Sequence, residues 1–149
     1  MLVWRLAREI YPALDGEGAR LNGGRWNSPG TPLVYTAGSR ALAALELLVW
    51  VDSRFPPVDL HLFEVEIPDR VSMERVDPAF LNPAWQQSRD AECRRIGDEW
   101  ALSGRTLLLA VPSSLVPEET NYLVNPRHPE MAGVRVAGSR PFAFDPRLL

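Results

Sequence analysis

One carboxylate stands in an otherwise apolar run, Glu46 within Ala41-Leu42-Ala43-Ala44-Leu45-Glu46-Leu47-Leu48-Val49-Trp50. An ionised side chain with apolar neighbours on all sides carries a heavy desolvation cost unless it has a partner or faces a cleft. Two readings follow. Glu46 is either half of a buried Glu–Arg pair or part of a short exposed stripe, or it is stationed where positive charge develops in a transition state. Upstream lies Gly23-Gly24-Arg25-Trp26-Asn27-Ser28-Pro29-Gly30. Paired glycines allow positive φ and a close approach of backbone to ligand, and a guanidinium pairs with phosphate or ribose oxygens. A surface turn is the alternative. Downstream, Leu109-Ala110-Val111-Pro112-Ser113-Ser114 ends an apolar stretch on two hydroxyls, a position usually filled by turn formers and caps.

Several chemistries are excluded by composition. All sixteen basic residues are arginine, so Schiff-base chemistry and a P-loop lysine are absent. Cys93 is the only cysteine, which rules out an intramolecular disulfide or a cysteine-based zinc site within one chain. The net charge of −3 argues against a broad phosphate-backbone footprint, and direct nucleic-acid binding is not expected. Asp15-Gly16-Glu17-Gly18-Ala19-Arg20-Leu21 has two glycines at dinucleotide-fingerprint spacing but Leu21 in the third place. His61 and His128 read as structural. No apolar run reaches the roughly 20 residues that span a bilayer and the start lacks a signal peptide's pattern, so a cytoplasmic protein with no membrane association is expected.

The elements that must position these residues form one α+β domain. Val3 to Leu6 reads as an opening strand, followed by a glycine-rich loop from about Tyr11 to Pro32, a length that is more often functional than idle. Leu33 to Thr36 reads as a strand. Ser39 caps a helix from Arg40 to about Val51, expected to be largely buried because it is apolar nearly all round. Val58 to Ile67 reads as a strand with a bulge between Leu62 and Phe63. A helix is expected from Asn82-Pro83 to Gly104, a buried strand over Arg105 to Val111, and short strands at Tyr122 to Val124, Val134 to Val136 and Pro141 to Phe144. Strands and helices interleaved irregularly favour α+β over repeating βαβ units.

Taken together, Gly23-Gly24-Arg25-Trp26-Asn27, Val34-Tyr35-Thr36-Ala37, the Ala41-to-Glu46 helix, Val111-Pro112-Ser113 and Asn121-Tyr122-Leu123-Val124-Asn125-Pro126 resemble, in order and spacing, the RES-domain family of toxin–antitoxin toxins. The resemblance spans most of residues 1–149, from Trp4-Arg5-Leu6 to the Asn-Pro-x-His-Pro tail. It implies an ADP-ribosyltransferase-like fold, two small mixed or antiparallel sheets flanking an NAD⁺ cleft with a few helices. It further implies NAD⁺ as substrate, no metal, and Arg25, Tyr35, Glu46 and Ser113 as catalytic residues, with Arg5, Trp26 and Asn27 beside Arg25, Tyr35 and Ser113 in NAD⁺ binding. Tyr35 would stack on nicotinamide or close the pocket, and Ser113 would bond the ribose or position Glu46. The acceptor of ADP-ribose, whether water, phosphate or a protein target, is left open. A cognate antitoxin with an Xre-like helix-turn-helix DNA-binding domain would occlude the site, and a homodimer or larger toxin–antitoxin assembly is compatible with it. The competing readings are a metal-independent RNA-cleaving toxin, disfavoured by acidity and few histidines, and a non-catalytic nucleotide-binding module, disfavoured by Glu46.

Overall fold

Apolar residues on both phases of the third strand require cover on both faces of a sheet, and this requirement organises the molecule. The structure, a computed structural model, describes residues 1–87 and 91–149. Its elements are Leu2–Arg8 (β1), Glu17–Asn22 (α1), Val34–Ala37 (β2), Arg40–Leu48 (α2), Leu60–Glu66 (β3), Met73–Arg75 (β4), Ala91–Ser103 (α3), Leu108–Pro112 (β5), Thr120–Val124 (β6) and Arg135–Pro141 (β7). The strands form one mixed sheet in the order β4-β5-β6-β2-β1-β3-β7. Every neighbouring pair is antiparallel except β4 and β5.

The α+β class is as expected, but the two small sheets are one. Its two halves meet at a single register pair, Trp4 opposite Ala37, whereas β1 and β3 pair over seven residues. Paired residues share a face. On one face, Leu42 and Ala43 of α2 cover Trp4, Leu6, Ala37 and Leu62. Farther along the same face, Trp26, Trp85 and Trp100 cover Leu109, Val111 and Leu123. Val3, Val34, Phe63, Val65, Leu108 and Val124 point to the opposite side and join Ile67 and Val134 in a second core.

Some expectations change. Leu60, Leu62, Phe63, Val65 and Ile67 are all buried, so alternation in β3 runs without a phase change. The irregularity lies at Glu64/Val65, where Gly138 and Val136 are the successive partners and the extra residue is in β7. The strand expected at Val134 to Val136 extends through Pro141 as β7, an edge strand, and residues 142–144, expected as a further strand, lie beyond its end. The long loop holds α1, whose six residues bury none of their side chains and so give no apolar periodicity. The chain from 83 to 87 forms turns, not the start of the expected helix; part of that helix, residues 88–90, lies outside the described residues, and α3 is described from Ala91. α2 is not largely buried: Leu42 and Ala43 are, but Leu45, Val49 and Trp50 are exposed, Trp50 by 62%. The helix lies on one side of the sheet and its outer face lacks a covering layer. Among the described residues, no helix is long and apolar enough to cross a membrane.

Candidate functional site

Helix α2 begins where Ser39 Oγ accepts the Leu42 N–H at 3.1 Å, which satisfies one of the open donors of the first turn. Leu42 and Ala43 face the sheet, and Glu46 follows them by four and three residues on the same side of the helix. Its Oε1 accepts from Ser113 Oγ at 2.6 Å and from Asn121 Nδ2 at 2.7 Å. Oε2 has no hydrogen bond among the described residues. The buried Glu–Arg pair is thus not what the structure contains; two neutral donors hold one carboxylate oxygen, and no ion pair occupies the other.

Ser113 follows directly on β5, a strand buried at all five positions, and is itself 0% exposed. Its hydroxyl donates to Glu46 and accepts the N–H groups of Leu115 at 3.1 Å and Val116 at 3.2 Å. That leaves it no hydrogen to give a ligand. Of the two roles open to it, positioning Glu46 is the one the geometry serves. Asn121 comes from β6, opposite Ala37 on one side and Val111 on the other. Sequence reasoning placed it in a family motif but gave it no role in the site; the available signal was an amide at the head of the apolar Tyr122-Leu123-Val124 stretch, on the sheet face that α2 covers.

Tyr35 lies on β2 and is tied to the glycine-rich segment. Its hydroxyl donates to Asn27 Oδ1 at 2.6 Å and accepts the Trp26 N–H at 3.1 Å. A Cβ on Gly24 would stand 2.7 Å from that hydroxyl, so the close approach served by this glycine is to Tyr35. Gly23 supplies the positive φ, 71°, where α1 ends. Burial pushes the Tyr35 hydroxyl well above its ordinary value of 10.0, with Asp98 adding to the shift, while the Trp26 N–H and the Arg25 charge oppose it. The group is a neutral phenol clamping the loop.

This clamp has a measurable signature. Tyr35→Phe leaves Asn27 Oδ1 and the Trp26 N–H without their shared partner, and we expect a loss of about 1–3 kcal/mol in urea unfolding at pH 7. The folded state holds the phenol proton more tightly than the unfolded chain does. Its contribution is therefore complete below pH 10.0 and fades as pH rises above that value, so the parent should lose stability more steeply than Tyr35→Phe between pH 9 and 11. Equal slopes would show that the hydroxyl is not buried.

Arg25 is half-buried and donates to the carbonyls of Trp85 at 2.8 Å and Gln86 at 3.4 Å. The loop behind it is braced on α3: Asp98 Oδ1 accepts the Ser28 N–H at 2.8 Å, and a Cβ on Gly97 would fall 1.7 Å from the Trp26 carbonyl oxygen. Arg5, on β1, reaches across the splayed junction and donates to the Tyr35 carbonyl at 3.1 Å. Its Nε is buried and, among the described residues, has no hydrogen-bond partner. Burial lowers its pKa and the negative charge of Asp15 opposes that shift.

The structure therefore brings Glu46 and Ser113 into direct contact and links Tyr35 to both Arg5 and the Arg25 loop. No direct contact joins Arg25 to Glu46 among the described residues. Trp26 and Asn27, expected as NAD⁺ contacts, are both buried. Trp26 is 2% exposed within the tryptophan-rich core. Asn27 is 0% exposed, and its amide nitrogen donates to the carbonyls of Ala19, Ser28 and Thr31. Both shape the loop that carries Arg25.

An α+β sheet opened at one junction, with a carboxylate anchored beside it, defines the class, and the comparisons agree. The family model described as RES domain matches residues 2–145, and the chain belongs to the RES-domain family. The "Prs ADP-ribosylating toxin" of Sphingobium sp. (strain YBL2) is 43% identical over 153 residues, covering 98% of this chain and 95% of its own length. A "Toxin Res" of Pseudomonas putida is 38% identical over 138 residues, covering 91% of this chain and 92% of its own. The solved M. tuberculosis MbcT–MbcA toxin–antitoxin complex contains a chain with the same fold, at TM-score 0.77 and 20% identity, covering 99% of this chain and 85% of that one.

Proposed function

We propose that this chain is the toxin of a toxin–antitoxin pair that consumes NAD⁺, breaking the nicotinamide–ribose bond and passing ADP-ribose to an acceptor. The observation that carries the reading is the Glu46 carboxylate, fixed through Oε1 by Ser113 and Asn121, with Oε2 left for a ligand. The ADP-ribosylating relative supports it. As the C1′–N bond breaks, its electron pair leaves with nicotinamide, which departs neutral and needs no strong acid. The ribose becomes oxocarbenium-like, as in glycoside hydrolysis. Glu46 Oε2 binds the ribose hydroxyls and its charge stabilises that cation. Water, phosphate or a nucleophilic side chain of a protein target then attacks C1′ and gives up its proton.

Arg25, at the rim of its braced loop, orients the ribose or the pyrophosphate. Arg5, whose Nε is buried and has no hydrogen-bond partner among the described residues, adds positive potential at the opened β1–β2 junction. Tyr35 serves binding by holding the Arg25 loop. The proposed reaction asks for no metal, because the leaving group departs neutral and the charge that develops on the sugar is met by Glu46. An antitoxin with an Xre-like DNA-binding domain would cover the cleft between Arg25 and Glu46.

The test is incubation of the purified chain with NAD⁺ in clean buffer with a chelator, then with phosphate, then with cell lysate. Nicotinamide release unaffected by chelator is expected, and free ADP-ribose, its phosphate ester or labelled protein identifies the acceptor. The same assay on the antitoxin complex should show much weaker turnover. Loss of activity in chelator that a divalent ion restores would overturn the metal-free reaction, and no release under any condition would overturn NAD⁺ consumption.

A further inference from the structure

We propose that Asn121 is a positioning residue for the reaction, the second of two donors that fix the rotamer of Glu46. The inference rests on the NAD⁺-consuming reading for its kinetic consequence, and on geometry alone for the contact.

The amide can be oriented in only one way. Turning it over would set Asn121 Oδ1 against a carboxylate oxygen, two acceptors facing each other, so Nδ2 must point to Glu46, where it lies 2.7 Å from Oε1. That orientation leaves Asn121 Oδ1 buried and, among the described residues, without a partner. A buried carbonyl without a hydrogen bond is unfavourable, and a strand held between two neighbours would accommodate an apolar side chain at this position. The amide is thus kept at some expense to the fold, and its donor goes to the one carboxylate in the site.

Ser113 alone would not fix that carboxylate. One hydrogen bond lets the carboxyl group swing about its accepting oxygen, whereas two donors arriving from different strands, one just beyond β5 and one on β6, define a position. With Oε1 occupied twice, Oε2 is the oxygen presented to the ribose hydroxyls. Asn121 therefore acts through Glu46, and its loss should lower turnover more than it lowers affinity.

The experiment combines a double-mutant cycle with a direct view of the contact. Asn121→Ala should lower kcat by about tenfold with KM within about twofold of the parent, and should cost almost nothing further in a Glu46→Gln background. Asn121→Leu, which fills nearly the same volume and removes the donor without adding a charge beside Glu46, should show the same kinetic split and guards against a loss caused by the cavity in the alanine variant. In ¹⁵N spectra of the parent, the Asn121 side-chain amide pair, identified by its disappearance in Asn121→Leu, should move in Glu46→Gln, because a charge-assisted bond becomes a neutral one. Unchanged kcat in both Asn121 variants, an equal loss with and without the Glu46 charge, or an amide signal indifferent to Glu46→Gln would each overturn the proposal. Should the parent release no nicotinamide, the functional reading fails, and the amide spectrum still decides whether Asn121 holds Glu46.

Discussion

Glu46→Gln should release nicotinamide from NAD⁺ at least about 10²-fold more slowly than the parent, with its melting temperature nearly unchanged. The two halves of that expectation have separate physical origins. Glutamine keeps a carbonyl oxygen where Oε1 stands, so the Ser113 hydroxyl and the Asn121 amide retain an acceptor and α2 keeps its tie to β6. What disappears is the negative charge, whose largest effect comes when the sugar becomes cationic, together with the acceptor that Oε2 offers the ribose hydroxyls. The loss should therefore fall mainly on kcat, with a smaller rise in KM. Equal turnover in a stable variant would remove Glu46 from the chemistry, and a collapse of the fold would make it a structural residue.

Gly97→Ala should be the most destabilising single-methyl change considered for this chain. The added Cβ falls 1.7 Å from the Trp26 carbonyl oxygen and 2.7 Å from its carbonyl carbon, both backbone atoms, so no flexible side-chain end can step aside. Helix and loop must separate. Overpacking of this kind typically costs about 1–3 kcal/mol and more when backbone is displaced. We expect a loss of at least about 3 kcal/mol, or a fall in melting temperature of about 6–12 °C for a domain of this size. Activity should fall too, because Trp26 adjoins Arg25 and the same loop is tied to α3 through Ser28 and Asp98. Gly18→Ala is the control, since a Cβ there meets nothing within 4 Å. Matching melting curves for the two variants would show that the loop does not rest on the helix.

How far the sequence discloses this arrangement depends on whether a signal is local. The Ser39 cap, the helix it starts and the buried run of β5 depend on neighbouring residues, and each stands close to where it is expected. Glu46 is conspicuous because a charge in an apolar run needs a reason, and Ser113 because of its motif. Its partnership with Asn121 is not visible in the chain, since nothing near either residue announces a contact across 75 positions. β4 was missed for a related reason: Met73-Glu74-Arg75 has no apolar alternation and is a strand only because β5 lies parallel beside it. Trp26 and Asn27 show the same limit: nothing local announces that one is packed in the core and the other holds carbonyls of its own loop. The burial of α2 was overstated because apolar composition does not reveal that a helix lies on a sheet with nothing above it.

The long reach of the two bonds to Glu46, across 67 and 75 positions, bears on when during synthesis the proposed activity can first appear. A ribosome that has finished α2 has made the carboxylate but neither of the groups that aim it; those come from the last third of the chain. Chains that end before residue 113 therefore carry the carboxylate without either donor and, on the proposed reading, should release no nicotinamide. Conversely, the gene is a natural candidate for a two-piece reporter: cut in the exposed turn at Gly104, neither half has an aimed carboxylate, and turnover of NAD⁺ is expected only when the halves are brought together.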